Sequence, residues 1–136
     1  MALTTTQASV QRWHEMLQTA DMSILNELLA EDVVFRSPVE YNPYPGKQVV
    51  SFILTNVIQI FENFTYHREF YSEDGLNVVL EFSANVGAKK LKGIDMIQFN
   101  EQGQIIDFEV MLRPKSGLEA LAAQMGQRMA AFLPKA

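Results

Sequence analysis

One acidic residue stands where the pattern of its strand calls for an apolar side chain. Asp95 occupies the middle of segment 90–99, and alternate residues of a strand face the same side of a sheet. On its side Asp95 is accompanied by Leu91, Gly93, Ile97 and Phe99. A buried carboxylate is costly to ionise, so it must find hydrogen-bond donors, remain protonated or face a cavity that holds water or ligand. We therefore expect Asp95 to titrate above an ordinary aspartate and to be the catalytic candidate.

Two other interpretations of this carboxyl stay open. The opposite register of segment 90–99 would expose Asp95 and would bury Lys92, Ile94, Met96 and Gln98 instead. In the buried register, Asp95 is either a pocket acid or a structural carboxyl bonded to the backbone or to Trp13, because hydrogen-bond networks also perturb carboxyl groups.

Other residues that commonly perform chemistry are missing or poorly spaced. The chain has no cysteine, which excludes disulfides, thiolate nucleophiles and cysteine metal sites. Its two histidines, His14 and His67, form neither an HxH nor an HExxH arrangement, so we expect no metal. Ser37 lies outside a G-x-S-x-G motif, which favours a place in the pocket wall over a nucleophilic role. We expect no cofactor.

Helical periodicity predicts the elements that position these residues. Thr4 and Gln7 form a capping-box pattern before a helix over 6–20, and Asp21 caps a short second helix. A brief strand over 33–35 ends at Ser37-Pro38. A Pro-rich loop over 38–46 then leads to a helix that runs from 47 to about 63. Ser116 caps a C-terminal helix with an apolar stripe of Leu118, Leu121, Met125 and Met129.

Four downstream segments predict strands, at 64–72, 76–87, 90–99 and 104–113. Turn-sized separations between them indicate antiparallel hairpins, since parallel neighbours need long crossovers. Strand parity predicts two sets of inward residues, which are Val78, Leu80, Phe82, Ala84 and Val86 in one strand and Ile106, Phe108, Val110 and Leu112 in another. The fold class is therefore α+β, with helices closing over one face of a curved antiparallel sheet.

The candidate ligand-binding residues come from these inward faces and from the loop. They are Trp13, Leu17 and Phe52 on helices, Phe82, Ile97, Phe108, Val110 and Leu112 on strands, and Ser37, Tyr41 and Tyr44 at the loop. Tyrosines suit a pocket border because they combine apolar area with a polar tip.

Composition restricts the class of protein and its partners. With 136 residues and 48% hydrophobic content, we expect one globular domain over 1–136. A net charge of −5 disfavours nucleic acid and anionic membranes as partners. Polar residues interrupt the first twenty positions, which indicates no signal peptide, and no run is apolar enough to span a bilayer. We expect a cytoplasmic protein. Apolar residues of outward parity predict a homodimer, and they are Ile94, Met96, Ile105 and Met111.

Several short motifs together resemble a SnoaL-like, ketosteroid isomerase-like member of the nuclear transport factor 2-like superfamily. They are Val10-Gln11-Arg12-Trp13, Asp21, the stretch over 28–33, Ser37-Pro38, Gly46, Gly93-Ile94-Asp95 and the turn over 99–105. The resemblance, over about 8–113, implies a cone-shaped, cystatin-like α+β barrel wrapped around one long helix, an internal pocket, and a dimer formed through the outer sheet faces.

The resemblance also implies how a site would work. In isomerases of this family an Asp shuttles a proton, while a Tyr and a protonated Asp stabilise an enolate. Those positions fall at Ser37, Trp13 and Asp95, and only Asp95 keeps the family's residue type. Serine cannot serve as the base, and indole donates a hydrogen bond without matching an acidic phenol. The leading hypothesis is an apolar-molecule pocket, with isomerisation, cyclisation or hydrolysis through Asp95 and water. The alternative is a non-catalytic binding or dimerisation module with a vestigial pocket.

Overall fold

Four helices and six strands make up the computed structural model, which describes residues 4–132 and the side chains of residues 4–130. In chain order the elements are α1 (Thr5–Thr19), α2 (Ser23–Leu28), β1 (Leu29–Arg36), β2 (Tyr44–Pro45), α3 (Lys47–Ile60), β3 (Glu62–Tyr71), β4 (Asn77–Val86), β5 (Lys89–Phe99), β6 (Ile105–Arg113) and α4 (Lys115–Phe132). No helix within residues 4–132 has the length and hydropathy needed to cross a membrane.

All six strands form one curved sheet in the order β2-β1-β6-β5-β4-β3. The successive pairs β3–β4, β4–β5 and β5–β6 are antiparallel, as the short turns predicted. Strand β1 lies parallel to β6, which makes the sheet mixed. Parallel pairing becomes possible because a long connection that includes α3 separates the two strands. The predicted α+β class with an added C-terminal helix is confirmed.

Helix α1 begins and ends at local signals that the sequence contains. The Thr4 hydroxyl oxygen accepts a hydrogen bond from the backbone N–H of Gln7, and Gln7 Oε1 accepts one from the backbone N–H of Thr4, which completes the predicted capping box. The helix ends at Ala20, whose φ of 59° is left-handed. The face of α1 that carries Val10, Trp13 and Met16 is buried in the core.

Helix α3 is shorter than its apolar pattern predicted. It starts after Gly46, whose φ of 101° favours glycine, and ends at Ile60 rather than near residue 63. The prediction was wrong because Phe61 already has extended backbone and β3 begins at Glu62, so the apolar run continues from a helix into a strand.

Burial along β5 follows the first of the two registers considered. Leu91, Gly93, Asp95, Ile97 and Phe99 are buried, whereas Lys92 and Gln98 are exposed. The alternative register is therefore excluded. The inward residues assigned to β4 are buried as well, and they are Val78, Leu80, Phe82, Ala84 and Val86.

At the start of β6 the predicted parity was wrong. Ile105 is fully buried and Ile106 is half-buried, the reverse of the expectation. The cause is a register shift between Gln98 and Phe99, because Gln98 pairs with Asp107 while Phe99 pairs with Ile105. Such a bulge adds a residue on one strand and moves the residues before it to the other face. From Phe108 onward the predicted parity holds, with Phe108 and Val110 buried.

Helix α4 packs against α3 and against β4, β5 and β6. Its first turn approaches β5 closely, since a Cβ atom at Gly117 would lie 2.7 Å from the Leu91 Cβ and 3.1 Å from the Lys90 carbonyl oxygen. Further along the helix, Leu121 is buried in the core. Helix α4 therefore covers the sheet beside α3.

Candidate functional site

A cavity of about 500 Å³ lies between α1, α3 and the inner face of the sheet. Most of its wall is aliphatic or aromatic, and the polar side chains gather toward β3, β5 and one side of α1. Its lining residues are Trp13, His14, Leu17, Gln18, Leu54, Val57, Ile58, Phe61, Phe64, Thr65, Tyr66, Asp95, Phe108 and Val110. We call it the main cavity.

Asp95 is the acidic residue of the main cavity wall. It lies between Leu80 on β4 and Val110 on β6, so apolar neighbours flank it within the sheet, and it is 5% exposed. Burial raises the pKa of Asp95 to about 7, and the hydrogen bond from Tyr66 opposes part of that rise. The pKa thus moves in the direction that the sequence predicted.

A short chain of hydrogen bonds ends at this carboxyl. The Trp13 Nε1–H donates to the Tyr66 hydroxyl oxygen at 2.8 Å, and the Tyr66 O–H donates to Asp95 Oδ2 at 2.6 Å. Burial, followed by the negative charge of Asp95, raises the pKa of Tyr66 well above its ordinary value, so the phenol stays protonated. Trp13 has only a donor to offer, which fixes the direction of the chain toward Asp95.

Helix α1 and strands β3 and β5 each supply one residue of this hydrogen-bond chain, and packing holds the three side chains in place. Tyr66 lies opposite Phe82 on β4 and reaches past that strand to Asp95 on β5. The Trp13 ring packs on Phe108 of β6 with centroids 5.3 Å apart, while Phe64 packs edge-on against Tyr66 at 4.8 Å. The polar chain is therefore embedded in aromatic contacts that limit its rotation.

His14 also lines the main cavity. Its ring meets the Tyr66 ring edge-on, with centroids 5.1 Å apart, and its Nε2 lies 3.4 Å from Glu69 Oε1. Glu69 also accepts a hydrogen bond from the Tyr71 hydroxyl at 2.8 Å. His14 is one-third exposed, so this cluster lies at the rim and not beside Asp95.

The arrangement permits one proton transfer at the inner end of the cavity. Tyr66 engages Asp95 Oδ2, which leaves Oδ1 as the oxygen that a bound molecule can reach. With a pKa of about 7, Asp95 donates a hydrogen bond when protonated and accepts one when ionised, both near neutral pH. Within residues 4–132 no cluster of His, Asp or Glu could hold a metal ion.

The structure brings five of the sequence-predicted site residues together in the main cavity. Asp95, Trp13, Leu17, Phe108 and Val110 all line it. Leu17 and Trp13 lie one turn apart on α1, and Phe108 and Val110 are alternate residues of β6, as their periodicities require.

The other seven lie elsewhere. Ser37 and Tyr44 line a separate cavity beneath α4, and Tyr41 is 98% exposed. Phe82 and Ile97 are buried core residues, and Phe52 is half-buried on α3. Leu112 lines a groove that it shares with Glu81, Lys92, Ile94 and Met111. Strand parity therefore identified inward residues without separating those that reach the cavity from those that fill the core.

Tyr66 is the main residue that the sequence interpretation missed. The strand that contains it was predicted, but its inward face was not assigned. The sequence did contain a signal for this inward face. Phe64 and Tyr66 are alternate aromatic residues and therefore share one face of the strand, and the charged residue Arg68 follows them. Tyr66 explains why a carboxyl is tolerated at position 95, since it supplies the required donor.

Comparisons with known proteins identify the family and support the fold. Residues 10–108 match a family model described as the SnoaL-like domain. A steroid delta-isomerase from Pseudomonas aeruginosa is 52% identical, with a TM-score of 0.90 over 94% of this chain and 93% of that one. A protein with a cystatin-like fold from Silicibacter pomeroyi is 37% identical, with a TM-score of 0.83 over 90% and 85% of the two chains.

One more distant structure contains a ligand. It is a Mycobacterium tuberculosis protein in complex with estradiol-17β-hemisuccinate, 17% identical, with a TM-score of 0.65 over 82% of this chain and 100% of that one. At that identity the likeness concerns the fold alone. No curated protein matches the chain.

Proposed function

This chain belongs to the SnoaL-like domain family of the nuclear transport factor 2-like superfamily, and we propose that it binds a small, largely apolar molecule with one oxygen atom placed at Asp95. The observation that carries this proposal is the chain of hydrogen bonds from Trp13 through Tyr66 to Asp95 in a mostly apolar wall. A few convergent polar groups in an apolar concavity are typical of ligand sites.

The size and lining of the main cavity define the class of ligand. About 500 Å³ lies within the range of about 300–1,000 Å³ that small-molecule sites occupy. A neutral hydroxyl or carbonyl fits Asp95 better than a carboxylate does, because a second buried anion would face the first. Steroids are the first class to test, since the similar Pseudomonas protein is a steroid delta-isomerase and the Mycobacterium structure holds a steroid.

The catalytic part of the proposal is limited to what one buried carboxyl can do. Asp95, with its pKa of about 7, would donate or accept a single proton near neutral pH, with water as its co-reactant. That chemistry belongs to isomerisation, cyclisation or hydrolysis. The position of the family's base is Ser37, and Ser37 lines the cavity beneath α4. Steroid isomerisation by the family's route is therefore not part of the proposal.

The binding step is tested with a pair of ligands that differ by one hydroxyl. Calorimetry at about pH 8, above the pKa of Asp95 of about 7, should show that the wild type prefers 2-naphthol over naphthalene by about tenfold or more, the value of one hydrogen bond to a charged group. Asp95→Leu should abolish the preference and keep naphthalene binding. Asp107→Leu makes the same change on β6, where the carboxylate pairs with Arg36, and should keep the preference.

Two results would contradict the proposal. Failure of both compounds to bind would favour the vestigial-pocket alternative. A preference for 2-naphthol that survives Asp95→Leu would place the polar contact elsewhere.

We also propose that the chain forms a homodimer through the outer face of the sheet. Phe70 pairs with Val79, and Val79 pairs with Met96, which places three apolar side chains in one row across β3, β4 and β5. In the next row Ile94 pairs with Met111, which is 44% exposed. An apolar surface of this kind supports association with a second copy.

A further inference from the structure

A second cavity, of about 250 Å³, lies beneath α4 on the other side of α3 from α1. Its walls come from the end of β1, the loop that follows, α3 and α4. Ile53, Leu121, Met125 and Met129 supply most of the apolar wall. We call this space the α4 cavity.

The polar groups of the α4 cavity are already paired within the wall. The Tyr44 hydroxyl donates to Glu40, and Ser37 Oγ accepts a hydrogen bond from the Val39 backbone N–H at 3.0 Å. A ligand part with its own polar atoms would have to displace these contacts. The α4 cavity therefore suits an unfunctionalised hydrocarbon group.

A single layer of side chains separates the two cavities. Val57 of α3 lines both of them. On the sheet side, Phe35 lines the α4 cavity and Phe108 lines the main cavity, and their rings stack with centroids 6.0 Å apart. Two consecutive residues of α3 line different cavities: Leu54 lines the main cavity, and Ile53 lines the α4 cavity.

We propose that the two cavities are subsites of one elongated binding site, in which Val57 is the partition and the α4 cavity receives the apolar tail of a ligand whose oxygen lies at Asp95. The inference rests on the proposed function, and it narrows the ligand to a molecule with one polar head and a long apolar body. The two methionines of α4 suit a tail of variable shape, since their unbranched side chains adapt easily.

Helix α4 is held over its cavity by contacts at both ends. Gly117 packs on β5, and Arg128 Nη1 donates to Asn56 Oδ1 at 2.9 Å and to Gln59 Oε1 at 2.7 Å on α3. These contacts hold α4 over the α4 cavity, and Val57 is the side chain that this cavity shares with the main cavity.

The test uses primary n-alkanols from butanol to dodecanol, whose hydroxyl can pair with Asp95 in either protonation state. Binding is measured by calorimetry and by the fluorescence of Trp13, the one tryptophan of the chain, which lines the main cavity. Wild-type affinity should rise by about fourfold per methylene over the whole series, because each buried CH₂ contributes a similar free energy.

One variant should weaken the binding of the longer alkanols and leave that of the short ones unchanged. Ala122→Phe fills the α4 cavity from α4, and Ala122 does not line the main cavity. For the longer alcohols this variant should lower the affinity by tenfold or more, which corresponds to the burial of about two methylenes. Ala123→Phe is the matched control, because Ala123 is exposed on the same helix and its substitution should leave the profile unchanged.

The outcomes separate this inference from the proposed function. If short alkanols bind with dependence on Asp95 but Ala122→Phe retains the wild-type profile, the two-subsite inference is overturned and the proposed function stands. If no alkanol binds in the main cavity, both are overturned. The inference is also overturned if the affinity of the wild type stops rising at the same alcohol chain length as the affinity of Ala122→Phe.

Discussion

Replacing Asp95 with asparagine should make the protein more stable at neutral and alkaline pH. The amide keeps the size of the side chain and can still accept the hydrogen bond from the Tyr66 hydroxyl, but it cannot ionise. The change therefore removes the cost of a buried negative charge and preserves the contact that the structure shows. The effect should depend on pH, because the cost is present only above the ordinary pKa of an aspartate, where the unfolded chain has lost the proton and the folded protein either keeps it or buries a negative charge.

The sign and magnitude of this stability difference follow from the pKa of Asp95, which burial raises from 3.8 to about 7. Between these values the unfolded chain is ionised and the folded protein still holds the proton, so the folded state binds more protons. Its stability relative to the unfolded chain therefore falls as pH rises through this window and levels off above it. The difference between the two pKa values, at 1.36 kcal/mol per unit, lowers the free energy of unfolding by about 4 kcal/mol in total.

Urea unfolding of wild type and Asp95→Asn, followed by circular dichroism between pH 4 and pH 8, measures this difference. Asp95→Asn should gain up to about 4 kcal/mol over the wild type at pH 8 and less than about 1 kcal/mol at pH 4. Asp32→Asn, which removes an exposed carboxyl of β1, controls for the change in net charge. Parallel stability curves for wild type and Asp95→Asn across the range would refute the buried-acid account.

Three further predictions test separate parts of the account. Tyr66→Phe should raise the pKa of Asp95 above 7, because the lost hydrogen bond favours the anion; an unchanged or lower pKa in an NMR carboxyl titration would show that Tyr66 is not the donor. Light scattering should find a dimer at micromolar concentration and a monomer for Met111→Lys, whereas a monomeric wild type would rule out the outer-face dimer. The wild type should show negligible isomerisation of a β,γ-unsaturated 3-ketosteroid by ultraviolet absorbance, since Ser37 cannot hold the transferred proton; brisk turnover that depends on Asp95 alone would mean that the site is assigned wrongly.

Residue alternation was sufficient to predict the carboxyl at the centre of the site. Asp95 occupies an inward position of a strand whose neighbours are apolar, and the antiparallel pairing of β4 and β5 keeps that parity without interruption. The predicted inward parity of β6 was wrong at Ile105 and Ile106. The bulge opposite Phe99 adds a residue to β6 there, and no local sequence pattern indicates that bulge. Local periodicity therefore predicted the face of Asp95 but not the irregularities of register.

The partners of Asp95 were harder to predict, because they depend on packing between elements that are far apart in sequence. Tyr66 reaches Asp95 across β4, and Trp13 reaches Tyr66 from α1, 53 positions away along the chain. The division of the interior into two cavities also depends on side chains from β1, α3 and α4. Ser37 and Tyr44 were predicted to border the same pocket as Asp95, yet they line the α4 cavity, on the other side of Val57.

The most direct test of the central claim is a crystal structure of the protein with 2-naphthol. The account predicts that the rings lie in the main cavity beside Trp13 and Phe108. The naphthol oxygen should lie about 2.5–3.0 Å from Asp95 Oδ1, within hydrogen-bond distance, while the Tyr66 hydroxyl stays on Oδ2. A ligand bound outside the main cavity, or one whose oxygen points away from Asp95, would contradict the claim that this carboxyl receives the polar group of the ligand.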